Sequence, residues 1–374
     1  MRRVGHRADL NMANNEVRVI IAGGGTGGHL FPGVAVAKEI ERKYGRADIR
    51  FVIGRRKMES EILTRLGFPQ ETIHVEGIKG RGWKNGIMVL LKLPYSFFQS
   101  VSILKRFSPH LVLGVGGYSA GPVCLAARIM GIPTAIHEQN SFPGVTNRLL
   151  CRIVNKVFMS FEESREHFPG GTLCLTGNPI REELLGEKNA HKKTNERFTI
   201  LVVGGSLGAR PINRAFVAAM EILKAKGKDP FVIHQSGETD YGRVLEEYKQ
   251  RGLEGDIMPF IQDMAEAYRQ ADMVVSRAGA TTVSELAALG KPSILVPYPY
   301  AANRHQETNA LMLVQVEGAE MILEKDLSGE SLAELLMKYM DDRKALEKMG
   351  MQAAKMGRRD AAKVIVDHLE AMRR

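Results

Sequence analysis

The chain has 374 residues, of which 44% are hydrophobic and 25% are charged, and its formal net charge is +10. This length suits two domains, and the composition excludes a disordered or fibrous protein. No run approaches the roughly 20 apolar residues that span a bilayer, so we expect no membrane-spanning helix. The positive charge favours an anionic partner, but no nucleic-acid-binding motif accompanies it. We therefore expect a membrane surface or a phosphorylated substrate and no nucleic acid.

Residues 1–16 are polar and lack the apolar core of a signal peptide, so we expect a flexible extension. The three cysteines, Cys124, Cys151 and Cys174, show no metal-ligand spacing. They are typical of small core residues in a reducing cytoplasm.

Short β-branched runs alternate with helical patterns, which predicts an α/β fold with parallel sheets covered by helices on both faces. The predicted strands are Val17–Ala22, Ile49–Ile53, Thr72–Val75, Leu111–Val115, Thr134–His137, Lys156–Met159, Thr199–Val203, Phe231–His234, Met273–Ser276, Ser293–Val296 and Ala319–Leu323. The first helix is predicted to begin near Pro32, since proline suits a first turn. The polar stretch 182–197 predicts the linker between two halves. An apolar stripe in the last helix predicts that this helix packs against another element.

Two glycine-rich segments each follow the first strand of one half. Gly23–His29 reads GGGTGGH, and Gly204–Arg210 reads GGSLGAR. Glycine permits a tight turn close to a ligand, and the N terminus of the following helix attracts phosphate. The pair predicts two nucleotide-fold domains facing one cleft. The first segment also matches the dinucleotide fingerprint, but Arg55 and Arg56 stand where an acidic residue is expected, which leaves an NADP site as an alternative.

Polar residues follow other predicted strands, where ligands of parallel sheets bind. The glycine-rich end Leu113–Pro122 is expected beside the first loop. The four polar residues His137–Asn140 favour recognition of a sugar, with a polar surface turn as the alternative. Ser276–Glu285 opens a helix, so its amides and hydroxyls suit phosphate, and Glu285 suits ribose hydroxyls or the helix dipole. Gln306 suits a sugar hydroxyl.

The sequence contains no Asp-x-Asp motif and no cluster of His, Cys and Asp at ligand spacing. We therefore predict no metal and no cofactor. The loops, the helix N termini and Arg181 would then neutralise a diphosphate.

A basic and apolar segment lies between residues 77 and 110, which hold six Lys and Arg residues and no acidic residue. Such a segment favours an anionic membrane interface, with an ordinary core helix as the alternative. The predicted membrane patch consists of Trp83, Lys84, Ile87, Leu91, Lys92, Phe97 and Phe98.

Taken in order, these motifs resemble those of the MurG family, the peptidoglycan N-acetylglucosaminyltransferases that convert lipid I to lipid II. The matching segments are Gly24–His29, Gly114–Pro122, His137–Asn140, Gly177–Arg181, Gly204–Arg210, Ser276–Glu285 and Gln306–Ala310. The resemblance runs from about Val17 to the C terminus. It implies a GT-B fold of two Rossmann-like domains: an N-terminal acceptor and membrane domain over 17–180, joined by the last helix at about 358–374, and a UDP-sugar-binding domain over 181–357.

The resemblance also implies where the substrates bind. Ser206, Arg181 and Thr282 would lie near the diphosphate of UDP-N-acetylglucosamine, Ile261 would present its backbone to uracil, and Glu285 would hold the ribose. Asn140 and Gln306 would contact the N-acetylglucosamine hydroxyls. The remaining predicted contacts are Thr26, Gly27 and Gly28 of the first loop and Ala280, Thr281, Val283 and Ser284 of the helix start.

The implied reaction inverts the α-linked donor to a β-1,4 product by attack of the C4 hydroxyl of undecaprenyl-linked lipid I. His29 is the first candidate for the general base and Glu138 the second, with hydrogen bonding to phosphate or backbone as the alternative role of His29. The enzyme is expected to be peripheral, at the cytoplasmic face of the bacterial inner membrane. The alternatives are an epimerase or glycolipid glycosyltransferase of the same fold and an NADP-dependent oxidoreductase.

Overall fold

The computed structural model describes residues 17–25, 27–55, 57–75, 82–186, 197–205 and 208–373, with the side chains of Met58 and of residues 82–93 left aside. The chain forms two compact units: residues up to Arg181 together with Asp360–Arg374, and Glu182–Arg359. The extension predicted over residues 1–16 lies outside the described residues, as does most of the stretch predicted as a linker.

The N-terminal unit contains a sheet of seven parallel strands in the order β3-β2-β1-β4-β5-β6-β7. The strands are β1 (Val17–Ala22), β2 (Ala47–Ile53), β3 (Gln70–Thr72), β4 (Leu111–Gly114), β5 (Thr134–Glu138), β6 (Lys156–Met159) and β7 (Leu173–Leu175). The central strands are buried because helices cover both faces of the sheet. Because the strands are parallel, the carboxyl ends of β1, β4 and β5 meet at one edge of the sheet.

In the part of this unit that the structure describes, five helices accompany the sheet before the chain leaves the unit. They are α1 (Gly27–Tyr44), α2 (Lys57–Arg65), α3 (Gly82–Phe107), α4 (Ala120–Ile129) and α5 (Val145–Leu150), with a 3₁₀ turn at Glu162–His167. Helix α1 begins at Gly27, so the prediction of a start near Pro32 was wrong. Five residues of helix precede the proline, since Gly27 and Gly28 adopt helical geometry directly after the loop.

The C-terminal unit repeats this strand order in a sheet of six parallel strands, β10-β9-β8-β11-β12-β13. The strands are β8 (Thr199–Val203), β9 (Phe231–Gln235), β10 (Asp256–Met258), β11 (Met273–Ser276), β12 (Ser293–Leu295) and β13 (Glu320–Met321). The helices are α6 (Glu182–Leu185), α7 (Arg210–Ala225), α8 (Tyr241–Gln250), α9 (Met264–Gln270), α10 (Ala280–Leu289), α11 (His305–Val314), α12 (Gly329–Asp341) and α13 (Arg343–Lys355), with 3₁₀ turns at Ala302–Arg304 and Glu324–Asp326.

The last helix, α14 (Ala361–Arg373), belongs to the N-terminal unit. Its stripe of Ile365, Val366 and Leu369 is buried in the core beneath β1 and β2, and Lys43 of α1 forms ion pairs with its acidic face. Burial of three such side chains contributes roughly 1.5–3 kcal/mol each, far more than exposed ion pairs. The prediction that this helix packs against another element is confirmed.

The strand prediction missed β7 and β10, two strands of three residues. β7 lies at the edge of the seven-stranded sheet and β10 at the edge of the six-stranded sheet. An edge strand pairs on one side only, so its sequence need not contain the continuous apolar run from which a central strand is predicted. Among the described residues, no helix is both long and apolar enough to cross a membrane.

Candidate active site

The first glycine-rich loop packs against the turn that follows β4. The Gly23 amide donates to the Val52 carbonyl at 3.1 Å, and the Gly24 amide donates to the Gly116 carbonyl at 3.3 Å. A Cβ atom on Gly117 would lie 2.0 Å from the Gly24 carbonyl oxygen, so the two loops approach too closely for a side chain. This confirms the expectation that the Leu113–Pro122 segment lies beside the first loop.

A buried carboxylate on α2 also holds the first loop. Glu59 is fully buried and accepts a hydrogen bond from the Gly25 amide. Sequence reasoning missed this residue because it lies in an ordinary helix 34 positions from its partner. Its contact fixes a loop in which Gly24 and Gly25 both have positive φ, a conformation suited to glycine.

His29 lies in the first turns of α1 with its side chain partly buried. Its Nδ1 atom lies 2.8 Å from Oε1 of Gln139. The turn at Gly116 makes room for the ring, since a Cβ atom there would lie 2.8 Å from Nδ1 of His29. The fold therefore holds one ring nitrogen of His29 against the end of β5.

The four polar residues after β5 do not act alike. His137, Glu138 and Gln139 are each at most 2% exposed, whereas Asn140 is partly exposed. The first three make hydrogen bonds inside the unit, so burial accounts for them better than the expected sugar recognition. Asn140 alone of the four presents appreciable surface.

Glu138 fastens the loop between β5 and α5. Its Oε1 accepts from the amide and side chain of Asn140 at 3.0 and 3.2 Å. Its Oε2 accepts from the Gly144 amide at 3.0 Å and from Asn147 at 2.8 Å. A carboxylate with four donors and 1% exposure is well suited to holding a loop and poorly placed to receive a substrate proton.

Arg181 ends the N-terminal unit beside α1. Its guanidinium carbon lies 5.0 Å from the centre of the Phe31 ring, within the range of a cation–π contact. The predicted Gly27 and Gly28 form the first turn of the same helix. The structure therefore brings Arg181 close to the helix that carries His29.

In the C-terminal unit a second buried glutamine connects two segments. Gln235, at the end of β9, donates to the Gly205 carbonyl at 2.8 Å and accepts from the Ile261 amide at 3.0 Å. The amide of Ile261 thus donates within the protein. Of the two backbone groups of Ile261, we therefore take the carbonyl as the predicted contact of uracil. Sequence reasoning missed Gln235, which is 2% exposed and has no motif around it.

Helix α10 begins directly after the loop that follows β11. Its N-cap, Gly279, is extended and has no side chain to form a cap. The predicted contacts Ala280, Thr281, Thr282, Val283 and Ser284 form its first turns. Glu285 follows directly and is 4% exposed, and its Oε2 accepts from the hydroxyl of Tyr268 at 3.1 Å. Backbone amides and a positive dipole end suit an anion here.

Gln306 lies at the start of α11, where its Oε1 accepts from the Tyr298 amide at 2.9 Å. Arg277 steadies the same loop by donating to the Val296 and Pro297 carbonyls and by stacking on the Tyr298 ring. The hydrogen bond to Tyr298 uses the oxygen of Gln306, so any hydrogen bond that this side chain donates must come from its amide nitrogen.

Several predicted residues cannot be placed. Thr26 and Ser206 lie outside the described residues, as do the side chains of Trp83, Lys84, Ile87, Leu91 and Lys92. Across the described ranges, no group of three or more His, Cys, Asp or Glu side chains could hold a metal ion. Burial raises the pKa of the Cys124 thiol to about 12, which is unfavourable for a nucleophile.

Family models match both units. Residues 19–159 match the glycosyltransferase family 28 N-terminal domain, and residues 199–365 match the family 28 C-terminal domain. Two domains with parallel sheets and these matches define a glycosyltransferase of the GT-B fold.

Curated relatives and a solved structure narrow the class. The chain is 46% identical to the UDP-N-acetylglucosamine--N-acetylmuramyl-(pentapeptide) pyrophosphoryl-undecaprenol N-acetylglucosamine transferase of Syntrophus aciditrophicus, over 95% of this chain and 99% of the relative. It is 47% identical to the protein of that name from Geotalea uraniireducens, over 94% and 98%. The crystal structure of Acinetobacter baumannii MurG matches with a TM-score of 0.75 at 31% identity, over 95% of this chain and 99% of that chain. The chain belongs to the MurG family.

A more distant structure shares the fold alone. The UDP-GlcNAc 2-epimerase from Neisseria meningitidis, bound to UDP-GlcNAc, has a TM-score of 0.66 at 14% identity, over 95% of this chain and 100% of that chain. Such a likeness does not extend to activity.

Proposed function

We propose that this chain transfers N-acetylglucosamine in one inverting displacement, with His29 as the general base and the C-terminal unit as the donor site. The reaction follows from the family: the chain is a UDP-GlcNAc-dependent N-acetylglucosaminyltransferase that converts lipid I to lipid II in peptidoglycan synthesis. The observation that carries the proposed site is the partly buried ring of His29, held by Nδ1 at the end of a glycine-rich loop.

The donor nucleotide is assigned to the carboxyl edge of the C-terminal sheet. The N terminus of α10 and Thr282 would bind the diphosphate, Glu285 would accept from ribose hydroxyls, and the Ile261 carbonyl would accept from uracil. Gln306 would donate its amide to the sugar. Three further assignments, Ser206, Arg181 and Asn140, stay predictions from the family resemblance.

The chemistry needs one proton acceptor and stabilisation of one leaving group. The C4 hydroxyl oxygen of the acceptor sugar attacks the anomeric carbon, the bond from that carbon to the UDP oxygen breaks, and UDP leaves with the bonding electrons. The hydroxyl proton passes to Nε2 of His29. Amides at the α10 N terminus would stabilise the negative charge that develops on UDP.

His29 is preferred to Glu138 as the base because of their surroundings. Both oxygens of Glu138 accept internal hydrogen bonds and the group is buried, whereas His29 is partly exposed. A base must approach the proton that it removes, and the partial exposure of His29 allows this.

We also propose a peripheral position on an anionic membrane, at the cytoplasmic face of the bacterial inner membrane. In α3, Phe98 is 68% exposed, and the neighbouring α4 and α5 expose apolar pairs one turn apart. These pairs are Leu125 with Ile129 and Val145 with Leu149. Apolar side chains beside basic ones favour insertion at an interface.

A calorimetric titration with UDP, UDP-N-acetylglucosamine and NADPH tests the donor site. Binding of both uridine ligands without NADPH binding is expected, and UDP release on addition of lipid I would establish transfer. NADPH binding would favour the oxidoreductase. Interconversion of the sugar without an acceptor would favour the epimerase and contradict the proposal.

Vesicle sedimentation tests the membrane surface. Ile129→Ser together with Leu149→Ser is expected to weaken binding to anionic vesicles while sparing turnover of a short-chain, water-soluble acceptor. Charge reversal at Lys84 and Lys92 should act likewise. Met351→Ser is the control, since Met351 is 63% exposed on α13 of the other unit. Equal binding by all variants would refute the surface.

A further inference from the structure

A continuous chain of hydrogen bonds leads from His29 into the core of the N-terminal unit. Nδ1 of His29 lies 2.8 Å from Oε1 of Gln139. Nε2 of Gln139 lies 3.0 Å from Nδ1 of His137 and 2.9 Å from the Val115 carbonyl oxygen. Nε2 of His137 lies 3.2 Å from the Gly177 carbonyl oxygen.

The two carbonyl groups determine the direction of every hydrogen bond in this chain. A carbonyl oxygen only accepts, so the atom of Gln139 facing Val115 must be the amide nitrogen. The atom of His137 facing Gly177 must likewise carry a proton. Nδ1 of His137 is then an acceptor for Gln139, and Oε1 of Gln139 is left facing His29. Both carbonyl groups independently give the same orientation.

We infer that Gln139 is a positioning residue that holds His29 in the tautomer protonated on Nδ1, which leaves the lone pair on Nε2. With the other neutral tautomer, two lone pairs would face each other across 2.8 Å. Rotating the Gln139 amide would remove that conflict only by placing its oxygen against the Val115 carbonyl. The chain therefore selects the atom of His29 that can receive a proton.

Burial makes this selection firm. Gln139 is 2% exposed and His137 is 1% exposed, so water does not readily replace their partners. Burial lowers the pKa of His137 to about 4, which keeps that ring neutral and able to accept from Gln139 near neutral pH. Ser160 lies beside this chain but does not set its direction, because its hydroxyl donates to the Glu138 carbonyl at 2.9 Å and lies 3.4 Å from Nε2 of His137, farther away than the Gly177 carbonyl at 3.2 Å.

The importance of this selection for catalysis rests on the proposed role of His29 as the base, but the tautomer itself does not. It is measured on the resting protein, labelled with ¹⁵N in its ten histidines, from the nitrogen shifts of His29 at about pH 8, above the ordinary histidine pKa of about 6.5. The signal is assigned by its absence from His29→Ala. We expect a protonated Nδ1 and a bare Nε2. A proton on Nε2 would overturn the inference.

A pair of variants separates positioning from stability. Gln139→Met keeps the size of the side chain but removes its hydrogen bonds, so we expect the Nδ1–H preference to disappear. We expect kcat to fall roughly 10- to 100-fold, with the KM for UDP-N-acetylglucosamine unchanged. Ser160→Ala removes buried hydrogen bonds without touching His29, and should lower thermal stability while leaving the tautomer and kcat as in the parent.

The outcomes distinguish this inference from the proposed function. Unchanged turnover in His29→Ala together with an Nδ1–H tautomer would refute the base and leave the positioning role intact. An unchanged tautomer in Gln139→Met would refute the positioning role even if turnover fell. If Gln139→Met did not fold, the tautomer of His29 in the parent protein would still test the inference.

Discussion

The two units share a strand order and a glycine-rich loop after the first strand, yet each uses a buried glutamine differently. In the C-terminal unit, Gln235 joins two backbone segments, Gly205 and Ile261. In the N-terminal unit, Gln139 joins a backbone carbonyl to two histidine side chains. In the proposed site, one glutamine would fix the shape of the donor-binding surface, and the other would fix the protonation pattern of a titratable ring.

Two buried histidines show the same division. His234 contacts Asn213 of α7 and Tyr248 of α8, so it holds helices against the C-terminal sheet. His137 contacts Gln139 and thereby influences His29. A rigid frame suits recognition of a nucleotide, whereas an oriented base suits proton transfer. We therefore expect substitutions around Gln235 in the C-terminal unit to change affinity and those around Gln139 in the N-terminal unit to change kcat.

The largest expected effect is that of His29→Ala. Loss of the general base should lower kcat by roughly 100-fold or more, because general base catalysis contributes about 10²–10⁴-fold. UDP affinity should change little, since the groups proposed to bind UDP do not include His29. Steady-state kinetics and calorimetry measure the two quantities. Near-normal turnover would contradict the assignment of the general base to the N-terminal unit.

Glu285→Ala should produce the opposite result. Loss of charge-assisted hydrogen bonds to ribose should weaken UDP binding roughly 10- to 100-fold, corresponding to about 1.5–3 kcal/mol. Tyr268→Phe is the control, because it removes only the hydroxyl that donates to Glu285 and should cost less than about 10-fold. If Glu285→Ala bound UDP as tightly as the parent does, the carboxylate would interact only with the helix dipole and Tyr268, and not with the ribose.

Gly116→Ala should displace His29. Its φ of +90° disfavours a side chain, and the new Cβ atom would lie 2.8 Å from Nδ1 of His29. We expect kcat to fall about 10-fold, less than on loss of the base. Gly131→Ala is matched, with φ of +75° and nothing within 4 Å. Both should lose about 1–2 kcal/mol of stability, and Gly131→Ala should keep full turnover. Equal kcat values in the two variants would contradict the crowding argument.

The last expected effect is on stability and not on activity, and it depends on pH. Burial lowers the pKa of His137 to about 4 and of His234 to about 3, from 6.5. The unfolded chain therefore binds protons first, and the free energy of unfolding should fall as pH drops from about 6.5 towards 4. Hydrogen exchange resolves the units, and His234→Gln should flatten this dependence in the C-terminal unit alone. If the free energy of unfolding of this unit in the parent, obtained from hydrogen exchange, did not depend on pH, His234 would not be held neutral by burial.

Much of the fold was predictable because it depends on local pattern. Continuous apolar runs such as Thr199–Val203 indicate strands buried on both faces, and the glycines of Gly23–His29 indicate a close turn before a helix. The short edge strand Asp256–Met258 was not predictable, since pairing with β9 alone defines it. The start of α1 was predicted at the wrong residue because proline is common in the first turn of a helix, whereas Pro32 lies in the second turn of this one.

The candidate site was predictable only in part. His29 and Glu285 stand in recognisable motifs, so the sequence indicates them directly. The sequence also indicated that His137–Asn140 is polar and follows a strand, but not that three of its four side chains are buried. Local composition does not distinguish a polar residue that faces a ligand from one that satisfies a buried partner.

By itself the sequence determined two parallel-sheet units, their glycine-rich loops and the family. These features depend on residues within a few positions of one another, or on motif order. Only the tertiary structure decided the partners of His29, because Gln139 is 110 positions away and reaches it through the order of strands in the sheet. The direction of that hydrogen bond depends in turn on the Val115 and Gly177 carbonyls, which belong to the backbone and leave no signal in the sequence.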